Sequence, residues 1–499
     1  MVSSFKEKGP ENPPKKRYEN LINGDWMAPS DDEYFVTSDP ATNEPIAEVA
    51  RATAGDVDAA VTAAREAFPG WRDTGPPTRG RRIHRVAELI REYEDELAEL
   101  ESIDQGKPLS QAKSDIKGAA RYFEYYAGAA DKLEGKSIPV GPDQVDFTVR
   151  EPYGVSAQII PWNFPANLFA RGVAPALAAG NAVVVKPAPT TPLSAYRMAQ
   201  LCFEAGIPEA AVNVVAGGGE TGAALTAHEG VNTITFTGSV TTGQAVMEAA
   251  SENITPVTLE LGGKNPAIVY PDADVSEAVD SISTAIFTNA GQICSAADRA
   301  LVHADVYDEF VEQIVTVAES YQLGPGLDDP EMGPLNSEGH WKKVRRYIDI
   351  GRTEGATLAT GGTTTEEEGE GWFVPPTVFT DVDNDMQIAQ EEVFGPVLVV
   401  VPFDDNDDVV RLANDVEYGL TAGIFTNDVR RAHRVAREIE AGNVYVNKWF
   451  GDTDQTPFGG YKKSGIGREK GLEALDSYLQ TKNIAINLTR STSDDLPGA

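Results

Sequence analysis

The sequence predicts an α/β protein made of two large α/β regions and a smaller extended element. Its 499 residues exceed what a single small module needs, and at roughly 100–200 residues per domain they fill two or three. From Gly154 onward strand-like runs alternate with helical ones. Apolar runs at 155–160, 182–185, 212–215 and 234–236 are separated by a helical stretch at 195–204 and followed by another from about Thr241. That alternation is the βαβ rhythm of a parallel sheet. A second such region begins after the segment 258–264, with helical periodicity at 275–287, 306–320 and 430–440 and strands near 374–379 and 397–403.

Before the first sheet, residues 1–17 carry prolines and lysines without an apolar run, so a disordered tail is expected rather than a signal peptide. Short strands and turns follow at 21–26 and 40–51. Residues 56–68 place Val57, Val61, Ala64 and Phe68 on one stripe, and 79–102 repeats the helical period. Between 132 and 150 the pattern turns to alternation around Gly141-Pro142-Asp143, a hairpin. Residues 477–488 alternate in the same way with no strand near them in sequence, so they join that hairpin or a neighbouring subunit.

Forty-two basic against 77 acidic residues give a formal charge of −35. Such a field repels phosphates, which argues against nucleic acid and anionic membranes as partners. The acidity is spread from Asp31 and Asp32 through 366–370 to 404–408, and we read it as a surface suited to a salt-rich cytoplasm, that of a halophile, where screening shortens the Debye length to about 3 Å at 1 M salt. An ordinary acidic enzyme is the alternative. No stretch reaches the roughly 18 uninterrupted apolar residues of a membrane span. Two cysteines are too few for a disulfide framework and suit a reducing compartment. A cytoplasmic location is expected.

Few residues are left to carry chemistry. Cys202 lies on the apolar stripe of a helix with Met198 and Leu201, a core position. Cys294 follows Gly291-Gln292-Ile293 among small and polar residues. It is either plain core or a nucleophile whose thiol pKa a nearby helix start would lower. Glu260, flanked by Leu259 and Leu261, is either a solvated strand-end glutamate or a carboxylate raised towards the range of a general base. Asn163, in Pro161-Trp162-Asn163-Phe164-Pro165, either satisfies its own turn or offers its amide to an oxyanion. The histidines show no metal-ligand spacing, so no metal is expected. A serine-hydrolase G-x-S-x-G is absent, as is the dinucleotide fingerprint G-x-G-x-x-G.

Taken together, Pro161–Pro165, Glu260-Leu261-Gly262-Gly263-Lys264-Asn265-Pro266, Gly291-Gln292-Ile293-Cys294, Glu391-Glu392-Val393-Phe394-Gly395-Pro396 and Pro457-Phe458-Gly459-Gly460 resemble the NAD(P)-dependent aldehyde dehydrogenase superfamily, from about Tyr18 to Leu488. The resemblance implies a Rossmann-like cofactor domain (18–131 and 151–258), an α/β catalytic domain (259–472) and a small β oligomerisation element (132–150 and 473–499) serving a homodimer or homotetramer. It makes Cys294 the nucleophile, Glu260 the base and Asn163 the oxyanion donor in oxidation of an aldehyde to an acid through a thiohemiacetal and a thioester. By the same likeness Ile160, Pro161, Trp162, Lys186, Gly219, Gly238, Ser239, Leu261, Glu392 and Phe394 bind the cofactor, and Phe458 lies by the substrate. Many NAD-using members have a glutamate where Pro189 follows Lys186-Pro187-Ala188. Without that carboxylate, NADP is expected to be accepted and even preferred. Arg171 stands where succinic-semialdehyde dehydrogenases carry an arginine for the substrate carboxylate, although Thr288 replaces their second arginine. The ends 465–469 and 478–482 look more like the semialdehyde and betaine-aldehyde branches. The expected substrate is therefore a semialdehyde acid, succinic or 2-oxoglutaric, with an aromatic or broad-specificity enzyme as the alternative. A coenzyme-A-acylating relative typically lacks the base, and a non-catalytic structural relative would be expected to lose thiol or base.

Overall fold

The structure, a computed structural model, describes residues 16–363, 371–405, 407–451 and 453–489. Most of the expected tail, the acidic run 366–370 and the end of the chain from residue 490 lie outside the described residues. Lys16 and Arg17, expected to belong to the tail, instead lie in the strand Lys16–Tyr18, parallel to Pro45–Ala50.

Strands Val155–Ile159, Ala182–Lys186, Val212–Val214, Thr233–Thr237 and Val257–Glu260 form the parallel centre of an eight-stranded sheet. Their Val- and Ile-rich runs are buried almost throughout, as a parallel sheet covered on both faces requires. Val155–Ile159 lies in the middle, with the next two strands on one side and the last two on the other. This is the 3-2-1-4-5 order of a doubly wound sheet, and it opens a crevice between the carboxyl ends of the first and fourth strands.

Helix Ala54–Arg72 starts at a capping box in which Thr53 and Asp56 satisfy each other's backbone N–H. The single helix expected over 79–102 is two, Pro76–Glu92 and Glu94–Gln105, broken at Tyr93 with φ −104°. Helix Leu109–Ala129 had no expectation, because half of its inward stripe is alanine, at Ala112, Ala119, Ala120 and Ala129, which blurs its hydropathy period. Helix Pro165–Ala179 begins on the Pro165 of the aromatic loop and stops at Gly180, whose φ of 101° suits glycine.

The second sheet has seven strands, six of them parallel, with Pro266–Val269 and Arg299–His303 side by side near its centre. Helix Glu338–Glu354, not foreseen among its charged residues, buries Trp341, Val344, Tyr347 and Ile348 on one face. The boundary expected between 258 and 259 falls inside Val257–Glu260, and Gly465–Ile466 returns to pair antiparallel with that strand. The late strand Leu479–Asn487 does join the hairpin region, pairing antiparallel with Gln144–Pro152 along its whole length and forming the outer strand of a three-stranded sheet.

Candidate active site

The crevice at the switch point is a cleft of about 1080 Å³ whose walls include Ile160, Trp162, Lys186, Gly219, Gly238 and Ser239. Two helices start there. Gly219–Thr226 opens at Gly218, and Val240–Ser251 opens at Ser239, whose hydroxyl accepts from the Thr242 N–H at 3.3 Å. Helix N-termini present N–H groups to anions, and a Cβ built on Gly218 or Gly219 would meet no atom within 4 Å, so a pyrophosphate can approach the backbone closely. These residues fit a dinucleotide. Burial lowers Lys186 to about 8, and its ammonium donates to the Pro187 carbonyl at 2.9 Å. Leu261 does not line the cleft; its side chain packs beneath the second helix, against Gly243.

A second cavity of about 650 Å³ shares Pro161, Trp162, Thr237, Gly238 and Ser239 with the cleft and reaches Asn163, Glu260 and Cys294. The sequence-separated candidates therefore meet at the end of one groove. Cys294 sits in a loop after the short turn Thr288–Gly291, in which Asn289 and Ala290 have φ of 50° and 52°. It does not stand at a helix start, so the expected lowering of its pKa is absent. Burial instead pushes the thiol up to about 12, against an opposing pull from Arg171.

Side chains from distant segments hold the carbonyls of this loop. Asn163 Nδ2 donates to the Gln292 carbonyl at 3.0 Å. Asn265 Nδ2 donates to the carbonyls of Cys294 and Ala296 at 2.9 and 2.8 Å, and Trp449 Nε1 to that of Ser295 at 2.7 Å. Glu260 ends its strand 2% exposed, with neither carboxylate oxygen hydrogen-bonded. Burial first, and the neighbouring Glu469 second, raise its pKa well above the ordinary carboxylate range.

Glu392 and Phe394 close the opposite wall. Glu392 accepts from the Gly263 N–H at 3.0 Å and is raised to about 7 by burial. His340, lowered to about 3 by burial, is neutral; its Nε2–H donates to the Phe394 carbonyl at 2.6 Å, and its ring lies beside that of Trp162. Arg171 departs from expectation. It is buried, ion-paired with Glu469 and packed over the Phe458 ring at 4.5 Å, so the carboxylate in its grip belongs to the chain itself. Phe458 and Glu469 exchange backbone hydrogen bonds of 2.7 Å, which fixes that trio.

Sequence reasoning missed Asn265, Trp449, Glu469, His340 and Lys343. Asn265 lies inside a recognised motif and could have been asked what its amide holds. His340 and Lys343 sit on the unforeseen helix, Trp449 gave no local signal, and Glu469 lies in the segment 465–469 that was singled out without a role for its carboxylate.

Residues 26–484 match the Aldehyde dehydrogenase family. The chain is 44% identical over 482 residues to a hydroxyisobutyraldehyde dehydrogenase of Mycolicibacterium austroafricanum, covering 96% of each chain. It superimposes with a TM-score of 0.93 on an aldehyde dehydrogenase from Bacillus cereus solved as an NAD+ complex, at 43% identity over 95% of this chain and 97% of that one. A betaine aldehyde dehydrogenase from Staphylococcus aureus, also solved with NAD+, gives a TM-score of 0.93 at 39% identity over 96% of both chains. The chain belongs to the aldehyde dehydrogenase family and is an oxidoreductase acting on aldehydes.

Proposed function

We propose that this chain oxidises an aldehyde to its carboxylic acid with Cys294 as nucleophile, Asn163 as oxyanion donor and Glu260 as general base. The observation that carries this reading is the shared cavity of those residues, continuous with a cleft that fits a dinucleotide. With its pKa near 12, Cys294 holds no ready-made thiolate, so its proton passes to solvent as sulfur attacks, and the Glu260 carboxylate on the same cavity wall is kept as the base for the hydrolytic step. As the proton leaves, sulfur bonds to the carbonyl carbon and the π pair moves to oxygen. An amide nitrogen has two N–H donors, so Asn163 can hold Gln292 with one and the oxyanion with the other, beside the Cys294 backbone N–H. NAD(P)+, when bound, supplies the oxidant that turns this adduct into a thioester. Glu260 then takes a proton from water as it attacks the thioester carbon, and the thiolate leaves.

The buried Arg171–Glu469 pair favours the broad-specificity alternative, with an uncharged aldehyde, over a semialdehyde acid. One observation keeps the semialdehyde reading in play: Arg171 Nη2 has no hydrogen-bond partner. The relatives named for hydroxyisobutyraldehyde and betaine aldehyde act on aldehydes without a carboxylate. Absorbance at 340 nm with short aliphatic, aromatic and semialdehyde substrates, with each cofactor and with or without coenzyme A, tests the whole reading. Rates for succinic semialdehyde above those for butanal would reverse the substrate choice, and strict need for coenzyme A would remove the hydrolytic step.

NADP acceptance rests on the adenosine end of the cleft, whose walls hold Lys186, Ala188 and Pro189 and no carboxylate among the described residues. Self-association through the small sheet is supported by exposed Ile138, Val145 and Ile486 on its strands. A monomer by light scattering would remove that part. A salt-rich cytoplasm rests on the charge of −35 alone.

A further inference from the structure

Beneath the Pro161–Pro165 loop lies a buried charged cluster that the chemistry above does not use. Helices Glu94–Gln105 and Leu109–Ala129 and the turn between them carry Glu101, Asp115 and Lys107 into the protein. The side chains of Lys107 and Glu101 are wholly buried. Lys107 Nζ donates to Glu101 Oε1 at 3.0 Å, to Asp115 Oδ2 at 2.5 Å and to the backbone carbonyl of Asn163 at 3.0 Å, which uses all its N–H donors. Its ammonium also lies 4.2 Å from the centre of the Phe164 ring. The other oxygen of Glu101 accepts from the Ala166 N–H at 3.1 Å. One linked group thus grips residues 163, 164 and 166. Burial pulls the Lys107 ammonium down, but Asp115 and Glu101 hold its pKa above the ordinary lysine value, so it stays charged.

A buried ion pair is often no more stabilising than an apolar packing of the same volume, so the cluster is weak as a stability device. Its contacts converge on the loop that carries Asn163. The same Asn163 carbonyl accepts from Asn289 Nδ2 at 3.0 Å, and the Asn163 side chain bonds the Gln292 carbonyl, two residues before Cys294. We propose that Lys107, braced by Glu101 and Asp115, is a positioning residue that fixes the Asn163 backbone so that its amide is aimed at the oxyanion formed on Cys294. This rests on the oxyanion role given to Asn163 above.

A double-mutant cycle on the single-turnover rate of NADH formation, with KM for cofactor measured alongside, tests it. Asn163→Ala should slow the acylation step by about 10²–10³-fold. Lys107→Met should slow it by about 10-fold or more with cofactor KM within about twofold of the parent, since small misplacement of a reacting group is costly. Lys107→Arg should recover part of the loss. The double variant should be no slower than Asn163→Ala alone, because a residue that acts only through Asn163 has nothing further to lose. If Lys107→Met does not fold, Glu101→Gln, which keeps the lysine and weakens the hold on Ala166, takes its place and should show the same lack of additivity. Parent-like rates, or losses that multiply, overturn the positioning role and leave Asn163 as donor. Asn163→Ala at the parent rate overturns the donor reading and this inference with it.

Discussion

Glu260 is buried and Cys294 partly buried, and lost solvation raises the pKa of each above its ordinary value. For Glu260 the sign follows directly. Its folded-state pKa lies above 4.5, the base form is the deprotonated one, and hydrolysis should fade as pH falls through that raised value rather than through the ordinary carboxylate range. The kcat profile should therefore show an acid limb well above pH 4.5, and Glu260→Gln should remove the limb and lower turnover by about 10²–10⁴-fold. Asn265 is a different case, since it holds the loop of Cys294 without lining the cavity. Replacing it with alanine leaves the carbonyls of Cys294 and Ala296 without that donor and should lower unfolding free energy by about 2–3 kcal/mol, read by urea denaturation. That Asn163, Glu260 and Cys294 belong together was legible because each lies in a dense local motif, and the structure brings all three to one cavity. The ion pair of Arg171 was not legible because its partner, Glu469, comes from the far end of the chain, nor was the direction of the Cys294 shift, because burial is a tertiary property.

Among elements, hydropathy period decided what could be seen in advance. Helix Val275–Phe287 and strand Val397–Phe403 match the expected bounds because their apolar patterns are strong. Leu109–Ala129 hid behind alanine, and Glu338–Glu354 behind charge. The second omission cost most at the site, since that helix brings His340 and Lys343 to the cavity. The strand Ala182–Lys186 and the loop after it line the cleft to which the proposed NADP acceptance is assigned. Pro189→Glu places a carboxylate on the adenosine wall, and its repulsion should lower kcat/KM for NADP by about 10-fold or more, equivalent to about 1.4 kcal/mol, while sparing NAD. Equal losses for both cofactors would mean that the loop was deformed instead.

For the whole molecule, the two-sheet α/β architecture was legible from alternation of strand and helix, whereas the return of Gly465–Ile466 to the first sheet was not, because so short a strand has no period to read. The charge of −35 is a property of the whole surface. Raising KCl from 0.1 to 1 M shortens the Debye length from about 10 to about 3 Å and relieves self-repulsion. Relief of about 2 kcal/mol should lift Tm by roughly 2 °C in a chain of this length, read by scanning calorimetry. A flat or falling Tm would leave the acidity unrelated to salt.

The most direct measurement is the intact mass of the Glu260→Gln enzyme after mixing with NAD+ and an aldehyde that the parent enzyme oxidises. With the base removed, the acyl group should remain on the enzyme, adding its own mass to the peptide that contains Cys294, with one equivalent of NADH formed and no adduct in Cys294→Ala. NADH formation from an enzyme of unchanged mass, or an acyl group on any other residue, would contradict the account.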